Sequence, residues 1–294
     1  MFEGASAFQE KFWCPDEVEG PPIWCACKTE CPAPPPSPPP SSNPPAPKTT
    51  ITRYNFEEAI KTCLWSDGGI YVVNGMCSRI EYGAMPDWDV RLVPNMASAF
   101  AGNEEFNADI SKWDVGGVTD MSGMFNGSLS FNQDIGNWTV SRVSNMREMF
   151  RSATSFNQDL GSWDIVRVED VSGMFFSASS FNQNIGNWQL AKVTSIAEMF
   201  YGATVFNQNI GSWDTSKITD MSNVFAATEA FNAPIGGWNT SQVTSMFHMF
   251  YQATAFNAEI GNWDTLKVTN MNFMFFGASS FCLLYTSPSP RDVE

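Results

Sequence analysis

Phe131-Asn132-Gln133-Asp134-Ile135-Gly136-Asn137-Trp138 returns, with few changes, every 25 residues along this chain. Phenylalanine stands at 106, 131, 156, 181, 206, 231, 256 and 281, and tryptophan at 88, 113, 138, 163, 188, 213, 238 and 263. No insertion or deletion interrupts that count. A fixed period of roughly 20 to 50 residues marks a solenoid or array, in which each unit buries its apolar face against its neighbours. Counting slots from the phenylalanine, slot 5 is isoleucine except for Leu160, and slot 13 is valine except for Ile218. Slots 16 and 19 are mostly methionine, and slot 20 is phenylalanine from Phe100 to Phe275. These columns read as one shared core, not as cofactor boxes.

Within a unit, Val118, Met121, Met124, Phe125 and Ser128 are three or four apart, which predicts a short helix or 3₁₀ segment. The half from phenylalanine to tryptophan is too short for a helix and reads as a short parallel strand with a glycine turn. Pro234 is expected to remove a donor from that ladder and mark a weak spot. Asparagine fills slot 2 at Asn107, Asn132, Asn157, Asn182, Asn207, Asn232 and Asn257. A side-chain amide both donates and accepts, so stacked copies are expected to form a structural ladder between units.

The flanks differ from the array. Met1 to Phe8 resembles Met199 to Phe206, so residues 1–31 read as the end of an upstream array, its start missing, plus a cysteine-rich cap. Cys14, Cys25, Cys27 and Cys31 suit disulfides better than zinc, because only Cys27 and Cys31 sit at ligand-like spacing. Residues 32–50 form a Pro/Ser-rich linker, extended because proline fixes φ and lacks the amide donor. In 51–87, Asn55 and Glu58 suggest a capping box. Phe56, Ala59, Ile60, Cys63 and Leu64 then trace one helical face, stopped by Asp67-Gly68-Gly69. This is the expected cap of the solenoid at 88–281, with Cys63 and Cys77 as a candidate disulfide. Residues 282–294 abandon the pattern and read as foreign to the protein.

Of 294 residues, 43% are hydrophobic, and 31 acidic against 16 basic residues give a net charge of −15. That balance argues against a nucleic-acid partner, which needs a basic footprint. No apolar run is long enough to cross a membrane, and no signal peptide is visible. The only histidine, His248, falls in variable slot 18, which reads as solvent-facing. No catalytic site, cofactor or bound metal is expected. Acidic slots 4 and 9 recur but are interrupted by Asn184, Pro234, Thr139 and Gln189, so a solvated face is favoured over calcium. Slot 21 carries the aromatics Phe176, Tyr201, Tyr251 and Phe276, candidates for facing a ligand, although edge packing competes and Arg151, Asn126 and Ala226 break the row. Asn126, Asn137 and Asn239 open glycosylation sequons, with Asn137 disfavoured by its core tryptophan neighbour.

The repeated F-N-Q-[DN]-I-G-N-W-D-x-S-x-V-T-D-M-S-x-M-F-x-G-A-T-S pattern resembles that of the BspA-like leucine-rich-repeat surface proteins. The resemblance implies a right-handed, leucine-rich-repeat-like α/β solenoid at the cell surface or outside the cell, with adhesion or ligand binding in some members. It transfers no catalytic residue. The expected protein is a monomeric, non-enzymatic array recognising a protein or glycan. A structural wall or surface spacer without a ligand is the alternative.

Overall fold

The computed structural model describes residues 49–64, 75, 77 and 82–282, together with the backbone of 12–13 and 26–27. The chain divides into two compact units, Met1–Pro45 and Ala46–Glu294. In the first, β1 (Phe12–Trp13) pairs antiparallel with β2 (Ala26–Cys27), Phe12 opposite Cys27. The proline-rich linker, the Met1–Phe8 segment, Cys14, Cys25, Cys31, Asp67–Gly69 and the tail beyond Cys282 lie outside the described residues.

The second unit opens with α1 (Phe56–Leu64), whose buried Phe56, Ala59, Ile60, Cys63 and Leu64 join the array's interior. Phe56 meets Trp113 edge-on at 6.0 Å between ring centroids. Asn55 does not aim its side chain into the helix. Its Oδ1 accepts the Thr52 amide at 2.7 Å and the Thr52 hydroxyl at 3.1 Å, bracing the turn that leads in. Cys63 is disulfide-bonded to Cys77, their Cα atoms 4.5 Å apart.

From Trp88 onward the chain is a stack of 25-residue coils in which each unit hydrogen-bonds to the next. The amides of slots 16, 18, 20 and 22 donate to the carbonyls of slots 15, 17, 19 and 21 one coil later, except that of Val171 in slot 16. Met146, Glu148, Phe150 and Ser152, for example, donate to Asp170, Ser172, Met174 and Phe176 at 2.6–2.9 Å. Between these, Met149, Arg151 and Ala153 donate to Met146, Glu148 and Phe150 of their own coil, closing turns at every second residue. Slots 18 and 22 are left-handed in every coil, at Glu148 (φ 54°) and Ser152 (φ 56°) as at Gly123 (φ 59°) and Gly127 (φ 76°). Left-handed residues four apart cannot belong to a helix.

The expected helix therefore does not form, and neither does the expected strand between phenylalanine and tryptophan. Among the described residues the parallel pairing is a row of isolated bridges at slot 15, such as Asn95 with Asp120 and Asp120 with Asn145. In the first half of each coil the next coil packs down on glycine instead. A Cβ at Gly186 would stand 2.4 Å from the Asn209 carbonyl oxygen, and one at Gly211 2.4 Å from that of Pro234. The slot-6 glycines from Gly136 to Gly236 are thus places of close backbone approach, where an added Cβ would force the backbone to shift. Pro234 is no weak spot, because slot-4 amides in neighbouring coils make no backbone ladder bond for it to lose.

The interior is aromatic. Each slot-20 ring pairs with the slot-1 ring six residues on (Phe150 on Phe156, 4.0 Å), and both columns repeat along the stack (Phe125 on Phe150 at 5.6 Å, Phe131 on Phe156 at 5.8 Å). From Trp113 on, each indole N–H donates to the slot-5 carbonyl one coil back: Trp138 to Ile110 at 3.3 Å, Trp163 to Ile135 at 3.2 Å, Trp188 to Leu160 at 3.0 Å. Where a buried column turns polar, the hydroxyl reaches a neighbouring coil, as Ser128 reaches the Phe100 carbonyl at 2.8 Å and Thr228 that of Phe200 at 2.6 Å. Among the described residues no buried side-chain nitrogen or oxygen lacks a partner.

Three substitutions separate these contacts. Gly186→Ala is expected to lower stability by about 1–3 kcal/mol in urea denaturation, since backbone must move to admit the methyl. Gly261→Ala, where an added Cβ meets nothing within 4 Å, is expected to be neutral or slightly stabilising. Pro234→Asp is expected to stay within about 0.5 kcal/mol, and a larger gain would restore the weak-spot reading.

Candidate binding face

The outward side chains of slots 17, 18 and 21 lie on the hydrogen-bonded ladder and change from coil to coil. The rings of Phe176 and Tyr201 stack at 4.5 Å with an interplanar angle of 3°. Arg151 does not break this row. Its guanidinium lies 3.7 Å over the Phe176 ring, on the side away from Tyr201's coil, and pairs with Glu198 at 3.8 Å. A cation over an aromatic face is attracted by the ring quadrupole, so Arg151 extends the stack. Ala226 is fully buried and does interrupt it. Beyond it, Tyr251 and Phe276 stack at 5.4 Å.

Sequence reasoning missed three members of this second group. His248 stands 3.8 Å from Phe247, 4.7 Å from Tyr251 and 5.5 Å from Phe273, and Phe273 meets Phe276 edge-on at 6.0 Å. Slot 18 is not simply solvent-facing: His248 is half-buried among rings, with φ 55°. The signal was present, since slots 17 and 18 carry rings only in the two coils of Tyr251 and Phe276, as Phe247 with His248 and then Phe273. Phe273 and Phe276 are 62% and 56% exposed in the last described coil, where the core-slot Met271 is itself 41% exposed, whereas Phe247, His248 and Tyr251 one coil earlier are half-buried.

The asparagine column forms a one-directional chain at the surface. Each Oδ1 accepts the backbone N–H of the next asparagine: Asn107 from Asn132, Asn132 from Asn157, Asn157 from Asn182, Asn182 from Asn207, Asn207 from Asn232 and Asn232 from Asn257, at 2.7–3.0 Å. Gln133, Gln158, Gln183 and Gln208 add a side-chain bond to the same oxygens. These amides are half-buried or exposed, and their oxygens serve backbone donors in place of a strand ladder.

The acidic columns have a local task that composition did not reveal. Asp134 accepts the Gly136 amide at 3.0 Å, Asp164 that of Val166 at 3.2 Å, and Asp170 that of Ser172 at 2.8 Å. Such turns need only a short side chain with an oxygen, which explains why Asp and Asn interchange in slots 4 and 9, and Asp, Asn and Ser in slot 15. Hydroxyl and amide bonds from Ser111 and Ser216 hold the carboxyls of Asp109 and Asp214 below the usual range. Asp89 is lowered to about 2, first by the side chain of Arg91 and then by its amide. Among the described residues no three His, Cys, Asp or Glu side chains gather in a way that could hold a metal ion.

Of the sequons, Asn137 is exposed, so its tryptophan neighbour does not bury it; Asn239 is exposed with its Oδ1 on the Ser241 amide at 3.1 Å. Asn126 is half-buried in the ladder, its Nδ2 3.5 Å from Glu148. No helix among the described residues is long and apolar enough to cross a membrane.

A family model described as Mycoplasma protein of unknown function, DUF285, matches residues 72–188 and again 170–287. No curated protein matches the chain.

The Asp89–Arg91 pair yields a pH test. With its folded pKa below the unfolded value, Asp89 favours the folded state above the ordinary carboxylate range, and that contribution fades as pH falls through about 2. Carboxyl-carbon NMR is expected to show a titration midpoint near 2 in the native chain, moving up toward 3.8 in Arg91→Ala. An unchanged midpoint in the variant would assign the shift elsewhere.

Proposed function

We propose, from the premise that the chain belongs to the DUF285 family, that it is a non-catalytic recognition or adhesion module of the BspA-like kind, displayed at the cell surface. On this reading the coil stack is a right-handed, leucine-rich-repeat-like solenoid that presents one outer face to a protein or glycan. The observation that carries the reading is the second aromatic group, where Phe247, His248, Tyr251, Phe273 and Phe276 assemble outside the core. Rings gathered outside the core beside polar groups are a usual mark of a contact surface. The enclosure of His248 among rings supports a non-catalytic role, and the Cys63–Cys77 bond supports an oxidising compartment.

A pure spacer would need the inner columns but not this outer one. Glycan and protein arrays probed with the native chain are expected to show saturable binding that Tyr251→Ser with Phe276→Ser reduces at least about tenfold, the usual loss when an aromatic anchor is removed. Equal signals from native chain and double variant, with matching urea midpoints, would favour the spacer.

A further inference from the structure

Slot 12 carries a long side chain in every described coil but one: Leu92, Arg142, Arg167, Lys192, Lys217, Gln242 and Lys267, with Gly117 the exception. Its neighbour in slot 11 is also glycine, Gly116. The bare Gly117 lines a notch of about 460 Å³ together with Leu92 of the coil before and Arg142 of the coil after. Thr52, Arg53 and Tyr54, from the segment leading into α1, close its third side. Even a methyl group at Gly117 would stand 3.2 Å from the Arg91 carbonyl oxygen, so the floor is backbone.

Three arginines line this notch in a chain of net charge −15. Arg91 is held by Asp89 through Nε and Nη2 at 2.8 and 2.6 Å, and also feels Asp114. Arg53 lies over the Tyr54 ring, 4.6 Å from its centroid. Arg142 is exposed and makes no ion pair or hydrogen bond among the described residues, so its guanidinium fork is unused. Asp89 and Asp114 offset Arg91, whereas Arg53 and Arg142 make no ion pair among the described residues, which leaves the notch locally positive. At physiological salt the distant acids are screened beyond roughly 8 Å, so the local balance governs what binds. Beside Thr52, the remaining side chains are aromatic and aliphatic: Tyr54, Leu92 and Pro94, with Tyr54 and Leu92 82% and 61% exposed.

We propose that this notch binds an anionic sugar ring, its carboxylate or sulfate accepting from the Arg142 fork while its C–H face rests on Tyr54 and Leu92. Guanidinium forks match planar oxyanions bidentately. Aromatic rings offer an apolar face to a body that is otherwise polar. The notch volume lies in the range of small-molecule sites and exceeds what a free inorganic anion would fill. The site uses different slots from the aromatic row, so loss of either leaves the other standing.

Titration calorimetry of the full chain at 0.15 M salt, with D-glucuronate, D-glucose 6-sulfate, D-glucose and N-acetylglycine as separate probes, tests the proposal. Saturable binding of glucuronate, glucose 6-sulfate or both is expected, and the stronger of the two identifies the anion. Glucose and N-acetylglycine, each lacking half of the recognised chemistry, are expected to bind at least about tenfold more weakly, the factor that one charged hydrogen bond commands. Arg142→Gln is expected to lose about tenfold or more. Gly117→Arg, which supplies the side chain of the next coil and fills the notch, is expected to abolish binding. Absent binding of both anionic sugars, equal binding of glucose or N-acetylglycine, or an Arg142→Gln variant that binds like the native chain would overturn the proposal.

Discussion

Register between coils is the constraint on which everything else rests. Three or four amides in each coil must meet carbonyls of the next, and each tryptophan N–H from Trp113 to Trp263 must meet a carbonyl one coil back. One inserted residue would displace each of these donors from its acceptor at once. An unsatisfied buried polar group costs on the order of 1–3 kcal/mol, so a single slip would forfeit several such bonds together. The uninterrupted 25-residue count is the sequence trace of that cooperativity. Aromatic packing sets the same spacing independently, since rings repeat at 5.6–5.8 Å along the slot-20 column.

The two halves of a coil meet that constraint differently. In slots 15–22, backbone bonds backbone, and left-handed residues flip alternate peptides so that their dipoles line up between coils. In slots 1–8, asparagine oxygens take the place of a backbone acceptor, and glycine lets the next carbonyl approach. The division has a functional consequence. Positions that keep the register admit few residue types, whereas the outer positions of slots 17, 18 and 21 are bound only through their backbone. Those side chains are free to vary, and there the aromatic groups collect. The notch at Gly117 arises by the same freedom in slot 12, where a missing side chain leaves the register intact.

Much of this organisation was legible in the sequence, and the reason is physical. Phe, Trp, Met and Val recur wherever a side chain points inward, because an interior shared by identical coils tolerates little change in volume. The backbone was less legible. Slot 18 holds Gly, Glu, Asn, His, Ser and Phe, a variety that hides the left-handed conformation common to all of them. Spacing of three and four suggested a helix, but the same spacing arises from turns repeated at every second residue. The acid columns looked like surface charge because Asp, Asn and Ser share only a short oxygen-bearing side chain, which is all the turn asks. Arg151 seemed to interrupt the aromatic row for want of any sequence rule that places a guanidinium over the next coil's ring. The Gly117 notch depends on Thr52–Tyr54 lying beside slot 12, a long-range placement that periodicity does not encode.

Amide hydrogen exchange in the native chain tests the central claim most directly. The ladder amides of Met146, Phe150 and Ser152 are expected to exchange slowly and with one common opening free energy, because they can open only when neighbouring coils separate. Amides of exposed slot 12, at Arg142 and Arg167, are expected to exchange orders of magnitude faster. Ladder amides that exchange as quickly as those of Arg142 and Arg167 would show that the coils are not joined backbone to backbone.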